Sequence, residues 1–298
     1  MLAKLWEPAG NGSVRCLLCQ HGCRIDPGQR GLCGVRVNQH GEMHSLVANS
    51  VAAVNLDPVE KKPLYHYRPG SKTFSLGTAG CNFACRFCQN HEISRTPADT
   101  GRVMGKRTTA DILIHEAERL NAASVTFTYN EPTVFFELMY ETAGMASARG
   151  LECLMVSNGF QSPDCLSALY RRIRAANIDL KSFRESFYRT QCRARLAPVL
   201  DNLKAMLGMG WWLEITTLLI PGLNDSDAEL RDIARFICQE LGPHVPWHIS
   251  RFHGAHLMAA SPSTPLAALE RAWRLGREEG LNFVYIGNAP NKLGSSTI

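Results

Sequence analysis

Three cysteines in the first third of the chain have the spacing of a metal-ligand group. Cys81, Cys85 and Cys88 form the pattern Cys-x3-Cys-x2-Cys. Three thiolates this close together suit three corners of an iron–sulfur cube, and the next cysteine along the chain is distant, so one iron would stay open. A zinc site is the alternative, with His91 as its fourth ligand. A disulfide, or cysteines that only pack, would explain the spacing less well.

A second cysteine group precedes the first. Cys16, Cys19, Cys23 and Cys33 supply four thiolates, enough for a closed tetrahedral zinc site or for an auxiliary 4Fe–4S cluster. The spacing does not decide between the two, because sulfur ligands suit both. His21 lies inside the group and is a substitute for one ligand. The other four cysteines are scattered, and we expect them to be packing residues: Cys153, Cys165, Cys192 and Cys238.

Composition places these cysteines in a soluble globular protein. The chain has 298 residues, of which 45% are hydrophobic and 20% charged, with a formal net charge of +5. No apolar run is long enough for a membrane span, and the first residues lack the apolar core of a signal peptide. We therefore expect a cytoplasmic protein that is not bound to a membrane. The odd total of 11 cysteines excludes full internal pairing, and in a reducing compartment grouped cysteines indicate metal ligands rather than disulfides.

The order of predicted elements indicates an α/β fold. Seven strand candidates alternate with helical segments from residue 73 onward, which is typical of a parallel sheet. Rossmann sheets and (β/α) barrels both fit this count of strands, and the lack of a strand–GxGxxG–helix fingerprint weakens the nucleotide-binding Rossmann option. We predict a Cys-rich N-terminal module over residues 1–68 and an α/β domain over 69–298. The predicted strands are 73–78, 125–129, 153–156, 178–180, 211–220, 247–252 and 283–286, and the predicted helices are 111–120, 133–149, 163–176, 196–209, 227–241 and 266–280.

Polar residues follow several of these strands, where the carboxyl ends of a parallel sheet carry its chemistry. They are Asn130 and Glu131 after the second strand, Ser157 and Asn158 after the third, and Asp179 and Lys181 at the fourth. Each also has a purely structural explanation: Glu131 as an acid at a helix start, Ser157 and Asn158 as a turn, and Asp179 as an ion-pair partner of Lys181. Because they follow the cysteine triad in order, each after a predicted strand, we favour a functional role over these explanations.

The triad, with Phe87 before its third cysteine, resembles the signature of radical S-adenosylmethionine (SAM) enzymes. The resemblance extends from about Arg68 to Asn288. More narrowly, the chain resembles pyruvate formate-lyase activating enzymes and, closer still, the AmmeMemoRadiSam system radical SAM enzymes. The shared stretches are 57–66, 80–90, 128–132 and 178–181.

The resemblance implies a partial (β/α)6 radical SAM barrel and a set of site residues. A 4Fe–4S cluster would be held by Cys81, Cys85 and Cys88, with SAM on the open iron. Reductive cleavage of SAM would give methionine and a 5′-deoxyadenosyl radical that abstracts hydrogen from an unknown substrate. The SAM contacts would be Phe87 at the adenine, Asn130 and Glu131 at the ammonium-binding stretch, Ser157 and Asn158 at the ribose, and Asp179 and Lys181 at the methionine end.

The same resemblance suggests partners and leaves alternatives. Flavodoxin or ferredoxin would supply the electron, and an AMMECR-like or Memo-like protein would be a partner or substrate. A glycyl-radical activating enzyme is the second interpretation. A zinc-knuckle nucleic-acid-binding protein is a third, disfavoured by the strand–helix alternation, and we expect no nucleic-acid partner. Family members often continue beyond Asn288 into another Cys-x2-Cys, which this chain lacks, so a metal shared with such a tail is in doubt.

Overall fold

The computed structural model describes residues 1–290 and divides into two compact units. The first unit comprises residues 1–83 and 90–176, and the second comprises residues 84–89 and those from Asn177 onward. The last eight residues lie outside the described part. The predicted module boundary at residue 68 is a different division of the chain, and it stays a prediction.

Short antiparallel strands build the N-terminal part of the first unit. They pair in the order β1-β2-β3, and β4 pairs with β5. The β4–β5 turn places His40 and Gly41 at φ values of 54° and 84°, the left-handed conformation that a tight hairpin requires. These strands are β1 (Trp6–Pro8), β2 (Val14–Cys16), β3 (Arg24–Ile25), β4 (Arg36–Gln39) and β5 (Glu42–Ser45).

The rest of the first unit contains four strands of a mostly parallel sheet. Their hydrogen-bonded order is β7-β8-β10-β11, in which only β7 runs antiparallel. A separate pair is formed by β6 and β9. The elements are β6 (Ser50–Val51), β7 (Ala53–Pro58), β8 (Lys72–Gly77), α1 (His91–Thr100), β9 (Lys106–Arg107), α2 (Ala110–Arg119), β10 (Ser124–Phe127), α3 (Phe136–Ala148), β11 (Glu152–Ser157) and α4 (Pro163–Leu169).

The second unit continues the strand–helix alternation. Strand β12 (Ala175–Asp179) begins in the first unit and ends in the second, where it is followed by parallel strands in the order β13-β14-β15. The elements are α5 (Glu185–Phe187), α6 (Ala197–Gly208), β13 (Trp212–Leu219), α7 (Asp227–Phe236), β14 (Trp247–Arg251), α8 (Leu266–Glu278) and β15 (Val284–Gly287).

Burial and capping explain why these segments take these forms. All four residues of β10 are buried, as expected for a parallel strand that is covered on both faces. Helix α2 begins where the Thr109 hydroxyl accepts a hydrogen bond from Ile112 N–H. A 3-10 turn over Pro132–Phe135 precedes α3, and Glu131 caps it by accepting from Thr133 N–H. The Glu131 carboxylate is therefore held in place at the start of this 3-10 turn.

The α/β class with a mostly parallel sheet, as in a partial radical SAM barrel, is confirmed. All seven predicted strands exist, as β8 and β10 to β15, with ends shifted by up to three residues. The predicted helix 163–176 is wrong beyond Leu169, because Arg171 adopts a φ of 63° and Ala175 already belongs to β12. The segments 133–149 and 227–241 each change helix type within their length. Among residues 1–290, the helices are too short or too polar to cross a membrane.

Candidate active site

The carboxylate of Glu131 lies at the centre of a buried hydrogen-bond network in the first unit. Its Oε1 accepts bonds from Thr133 N–H at 3.0 Å, Thr133 O–H at 2.6 Å and Ser157 O–H at 2.8 Å. Its Oε2 accepts one bond from Asn158 N–H at 2.9 Å. Burial raises the pKa of Glu131, and these donors oppose the rise. The donors saturate Oε1, whereas Oε2 can accept a further bond.

Ser157 and Asn158 hold this network from the end of β11. The Ser157 hydroxyl donates to Glu131 and accepts from Gly159 N–H at 3.1 Å and Gln161 Nε2 at 2.8 Å. One donated and two accepted bonds use its full capacity. Asn158 Nδ2 donates to Asn82 Oδ1 at 2.7 Å. Ser157 and Asn158, both predicted from the sequence as site residues, are thus hydrogen-bonded to Glu131. A contact between the Ser157 hydroxyl and a ribose would require the loss of one of the three hydrogen bonds that this hydroxyl makes.

Asn130 fastens the same turn to the start of the cysteine loop. Its Oδ1 accepts from Thr78 N–H at 3.1 Å, and its Nδ2 donates to Gly80 O at 2.7 Å. Tyr129 precedes it with a φ of 72°, a left-handed conformation that is strained for a bulky side chain. Asn90 Nδ2 donates to Tyr129 O at 2.7 Å. These bonds hold the turn in a conformation that its sequence alone would not favour.

Asp57 and Lys62 form a charged pair that contacts Tyr129. The Tyr129 hydroxyl donates to Asp57 Oδ2 at 2.9 Å, and Lys62 Nζ lies 2.8 Å from the same oxygen and 4.7 Å from the centre of the Tyr129 ring. Lys62 is buried. Burial alone would raise the pKa of Asp57, but the bonds from Lys62, Tyr129 and Lys61 outweigh it and lower that pKa to about 2. From the sequence, residues 57–66 were recognisable only as a stretch shared with a family, and no role for Asp57 or Lys62 could be predicted.

The three cysteines of the central motif belong to different units. Cys81 lies in the first unit, where its Sγ accepts a bond from Phe83 N–H at 3.4 Å and lies 3.9 Å from Asn82 Oδ1. Cys85 and Cys88 lie in the second unit. There the loop is fastened to a π-helical turn over Tyr188–Cys192 by Ala84 N–H to Cys192 O at 2.9 Å and Arg86 N–H to Gln191 O at 3.0 Å.

The other predicted SAM contacts of the second unit lie close to Cys85. Lys181 Nζ is 2.7 Å from Asp179 Oδ2 and 5.9 Å from the centre of the Phe87 ring. Burial alone would lower the pKa of Lys181, but Asp179, Cys85 and Cys192 raise it well above its usual value. Burial also raises the pKa of Cys192, whose thiol is hydrogen-bonded to Cys85. The second unit therefore brings together one cysteine of the motif, its aromatic neighbour and the Asp-x-Lys pair.

The four N-terminal cysteines line one small cavity of about 20 Å³ in the first unit. Burial raises the pKa of Cys19 and Cys23, and it raises that of Cys33 to about 11, so their thiols are neutral at pH 7 without a metal. His21 Nε2 is 2.8 Å from Asn82 O. A carbonyl oxygen only accepts, so this ring nitrogen carries the proton and is not available as a metal ligand in this arrangement.

The thiol chemistry of both groups fits soft metal centres. None of the 11 cysteines, all of which lie within the described residues, forms a disulfide. Within residues 1–290, no three His, Cys, Asp or Glu side chains are already placed as ligands of one metal ion. Two donors near the thiols lack a partner in this part of the chain: Asn82 Nδ2 and Arg36 Nε. Sulfur of a loaded metal centre would satisfy such donors.

Several residues that hold the site were not predicted. Thr133 and Gln161 complete the Glu131 network, and Asn82 links the cysteine loop to Asn158. The position of Asn82 inside the cysteine motif was the available signal. Gln161 had none, because its bond to the Thr133 hydroxyl joins residues 28 positions apart.

A family model described as "Radical SAM superfamily" matches residues 75–237, just over half of the chain. Two proteins of Methanocaldococcus jannaschii are similar to this chain, one over 99% of it and the other over 56%. The uncharacterized protein MJ0808 is 39% identical over 99% of this chain and 87% of its own length. The protein MJ1632, named as a candidate glycyl-radical enzyme activating enzyme, is 27% identical over 56% of this chain and 63% of its own length.

A solved structure shares the fold. The crystal structure of Streptococcus suis SuiB bound to S-adenosylmethionine has a TM-score of 0.56 and 13% identity, over 72% of this chain and 49% of that chain. At this identity the likeness supports the architecture alone. It agrees with the mostly parallel sheet found here.

Proposed function

Since the chain belongs to the radical SAM superfamily, we propose that it cleaves SAM reductively to methionine and a 5′-deoxyadenosyl radical that abstracts hydrogen from a substrate. The chain is a radical SAM enzyme, and its superfamily implies a 4Fe–4S cluster and SAM. Which molecule loses hydrogen, and whether SAM is consumed or regenerated, are separate questions from this cleavage.

In this proposal Cys81, Cys85 and Cys88 hold the cluster. Bound there, a reduced cluster would supply the electron for cleavage of the carbon–sulfur bond of SAM. The chain's own contribution is to orient SAM and to keep water from the reactive radical. The positive charge of Lys181 beside Cys85 and the Phe83 N–H that donates to Cys81 Sγ suit an anionic thiolate centre.

The Glu131 network is the observation that carries the assignment of SAM contacts. Oε2 of Glu131 keeps capacity for one more donor, as an ammonium group would provide. Asn158 is adjacent and would contact the ribose, while Ser157 holds Glu131 in place. Phe87 would pack on the adenine, with Asp179 and Lys181 at the methionine end. Asn130, the residue before Glu131, donates a hydrogen bond to the carbonyl oxygen of Gly80, which directly precedes Cys81.

The N-terminal cysteines Cys16, Cys19, Cys23 and Cys33 would hold zinc or a second iron–sulfur cluster. Their shared cavity and the two unpaired donors that line it support a bound centre. Buried thiols with raised pKa values lose their protons when a metal binds. The side chains would then have to turn toward a common ion.

A narrower role is that of an activating enzyme. We propose an activity of the AmmeMemoRadiSam type, with an AMMECR-like or Memo-like protein as partner or substrate and flavodoxin or ferredoxin as the electron donor. The glycyl-radical activating enzyme is the second candidate, favoured by the 27% identity to MJ1632. A cytoplasmic location suits both, because each requires reduced thiols.

Electron paramagnetic resonance tests the proposed binding of SAM to the cluster. The protein is reconstituted anaerobically with iron and sulfide, reduced, and measured with and without SAM. We expect an iron–sulfur signal that changes when SAM is added, its loss in Cys85→Ala, and its retention in Cys153→Ala, which removes a buried thiol of β11. A protein that takes up zinc alone, with no visible absorption, would contradict the proposal.

A further inference from the structure

Two buried N–H donors border the cavity of the N-terminal cysteines. Asn82 and Arg36 both line it and are 4% and 1% exposed. Asn82 Nδ2 and Arg36 Nε have no hydrogen-bond partner among residues 1–290. Burying a donor without an acceptor is costly, so such donors indicate an occupant that accepts hydrogen bonds. Thiolate sulfur bound to a metal is an acceptor of the required kind.

Arg36 is already oriented toward one of these thiols. Its Nη1 lies 3.8 Å from Cys16 Sγ and donates to Lys4 O at 2.8 Å. Its Nη2 is paired with Glu137, which is equally buried. The guanidinium is thus held with Nη1 beside Cys16 Sγ, and its charge is balanced by the Glu137 carboxylate.

Asn82 reaches the predicted SAM contacts with its other atoms. Its Oδ1 accepts from Asn158 Nδ2 at 2.7 Å, and its carbonyl oxygen accepts from His21 Nε2 at 2.8 Å. Cys81 is the preceding residue. One amide side chain therefore lies between the thiol cavity on one side and Asn158 on the other.

The loop that carries the N-terminal cysteines also lies directly against the segment that carries Ser157 and Asn158. Gln20 N–H donates to Phe160 O at 3.1 Å, and Ser162 N–H donates to Leu18 O at 3.2 Å. The rings of His21 and Phe160 are 4.9 Å apart. Two backbone hydrogen bonds therefore connect this loop to residues 160–162.

We propose that Asn82 couples occupancy of the N-terminal thiol cavity to SAM binding. As a positioning residue, it would donate from Nδ2 to sulfur of the metal-loaded cavity while its Oδ1 holds Asn158 in place. Zinc and an iron–sulfur cluster both present thiolate sulfur, and metal analysis of the wild-type protein identifies which is bound. Because SAM is the ligand of the proposed function, this coupling rests on that function.

A double-mutant cycle tests the coupling. Cys33→Ser removes one thiol of the cavity, Asn82→Ala removes the link, and the double variant closes the cycle. Cys238→Ser is the matched control, since it removes a partly buried thiol outside both cysteine groups. Zinc, iron and sulfide content, melting temperature and the Kd of SAM are measured anaerobically for each protein. Asn82→Ser replaces Asn82→Ala if the alanine variant fails to fold.

We expect Cys33→Ser to keep the iron of the central cluster, to lose the N-terminal metal, and to raise the Kd of SAM about fivefold or more, a typical coupling between two sites. In the Asn82→Ala background the same change should leave the Kd nearly unaltered. An equal rise in both backgrounds, or no rise in either, would overturn the coupling and leave the proposed function intact. A wild-type protein with its cluster loaded that does not bind SAM would overturn both.

Discussion

At the scale of single residues, Glu131 combines complete burial with an unusually full set of donors. Four donors from Thr133, Ser157 and Asn158 surround its two oxygens, so an amide nitrogen in place of either oxygen would face N–H or O–H groups. We predict that Glu131→Gln weakens SAM binding about tenfold or more, because a charge-assisted bond to the ammonium is lost. Calorimetric titration of the reconstituted protein measures this.

The control for Glu131→Gln is Glu141→Gln, which alters an exposed glutamate of α3. Both variants should keep the cluster of the wild-type protein. Unaltered SAM affinity in Glu131→Gln, with the cluster fully loaded, would show that this carboxylate does not contact SAM.

Lys61 and Lys62 both contact the Asp57 carboxylate, but we expect them to differ in their contribution to stability. Lys62 Nζ is 2.8 Å from Asp57 with its side chain 5% exposed, whereas Lys61 Nζ is 3.2 Å away with 68% exposed. We predict that Lys62→Met lowers the free energy of unfolding by roughly 1.5–3 kcal/mol, because the Asp57 carboxylate loses its buried charged hydrogen-bond partner and keeps only Tyr129 and the exposed Lys61. Lys61→Met should cost less than about 1 kcal/mol. Urea denaturation compares them, and equal losses would contradict the structure.

The low pKa of Asp57 predicts a pH dependence of stability. The folded-state pKa is about 2, against about 3.9 in an unfolded chain. A lowered pKa contributes stability that is present above the unfolded value and is lost as the pH falls through the folded value. The stability difference between wild type and Asp57→Asn should therefore be constant from pH 7 to about 4.5 and shrink toward pH 2. Urea denaturation at several pH values measures it, and a difference that grows on acidification would contradict this assignment.

At the scale of elements, the end of β8 depends on a glycine. A Cβ at Gly77 would lie 2.5 Å from Thr128 O and 3.1 Å from Asn130 Oδ1. We predict that Gly77→Ala displaces the turn after β10, lowers the melting temperature and weakens SAM binding, since backbone atoms cannot yield as a side chain can. Gly208→Ala in α6 is the control: nothing lies within 4 Å of its Cβ, so stability should be equal or higher.

The parallel strands could be predicted from the sequence, and the cysteine spacing predicted two groups of metal ligands. The strands were recognisable as short stretches rich in β-branched and aromatic residues between helical segments, and β13 and β14 were placed within one residue at each end. Helix α1 was missed because His91–Thr100 is polar on average and contains Pro97, a residue that sequence reasoning treats as a helix breaker. The over-long prediction for α4 arose because helical composition continues past the left-handed Arg171. Such stops are set by tertiary contacts rather than by local propensity.

The candidate site was predictable where strand ends carry polar residues and unpredictable where contacts are long-range. Glu131, Ser157 and Asn158 were named from the sequence and are joined by hydrogen bonds. The roles of Asp57, Lys62 and Tyr129 depend on residues 67 to 72 positions apart in the chain. A single sequence gives no register for such pairs, so this support was invisible before the structure.

At the scale of the whole molecule, the chain combines a family core with a cysteine-rich N-terminal part. The superfamily match begins at residue 75, so the N-terminal cysteines precede it. The similarity to MJ0808 covers 99% of this chain and therefore includes that part. The N-terminal cysteines should accordingly be tested as part of the enzyme, together with the barrel.

Formation of 5′-deoxyadenosine tests the central claim most directly. The full chain is reconstituted anaerobically with iron and sulfide, reduced, supplied with SAM, and its products are separated by chromatography. We predict deoxyadenosine from the wild-type protein and from Cys153→Ala, and none from Cys85→Ala. A wild-type protein that carries the cluster and binds SAM, yet yields no more deoxyadenosine than Cys85→Ala, would contradict the proposed cleavage.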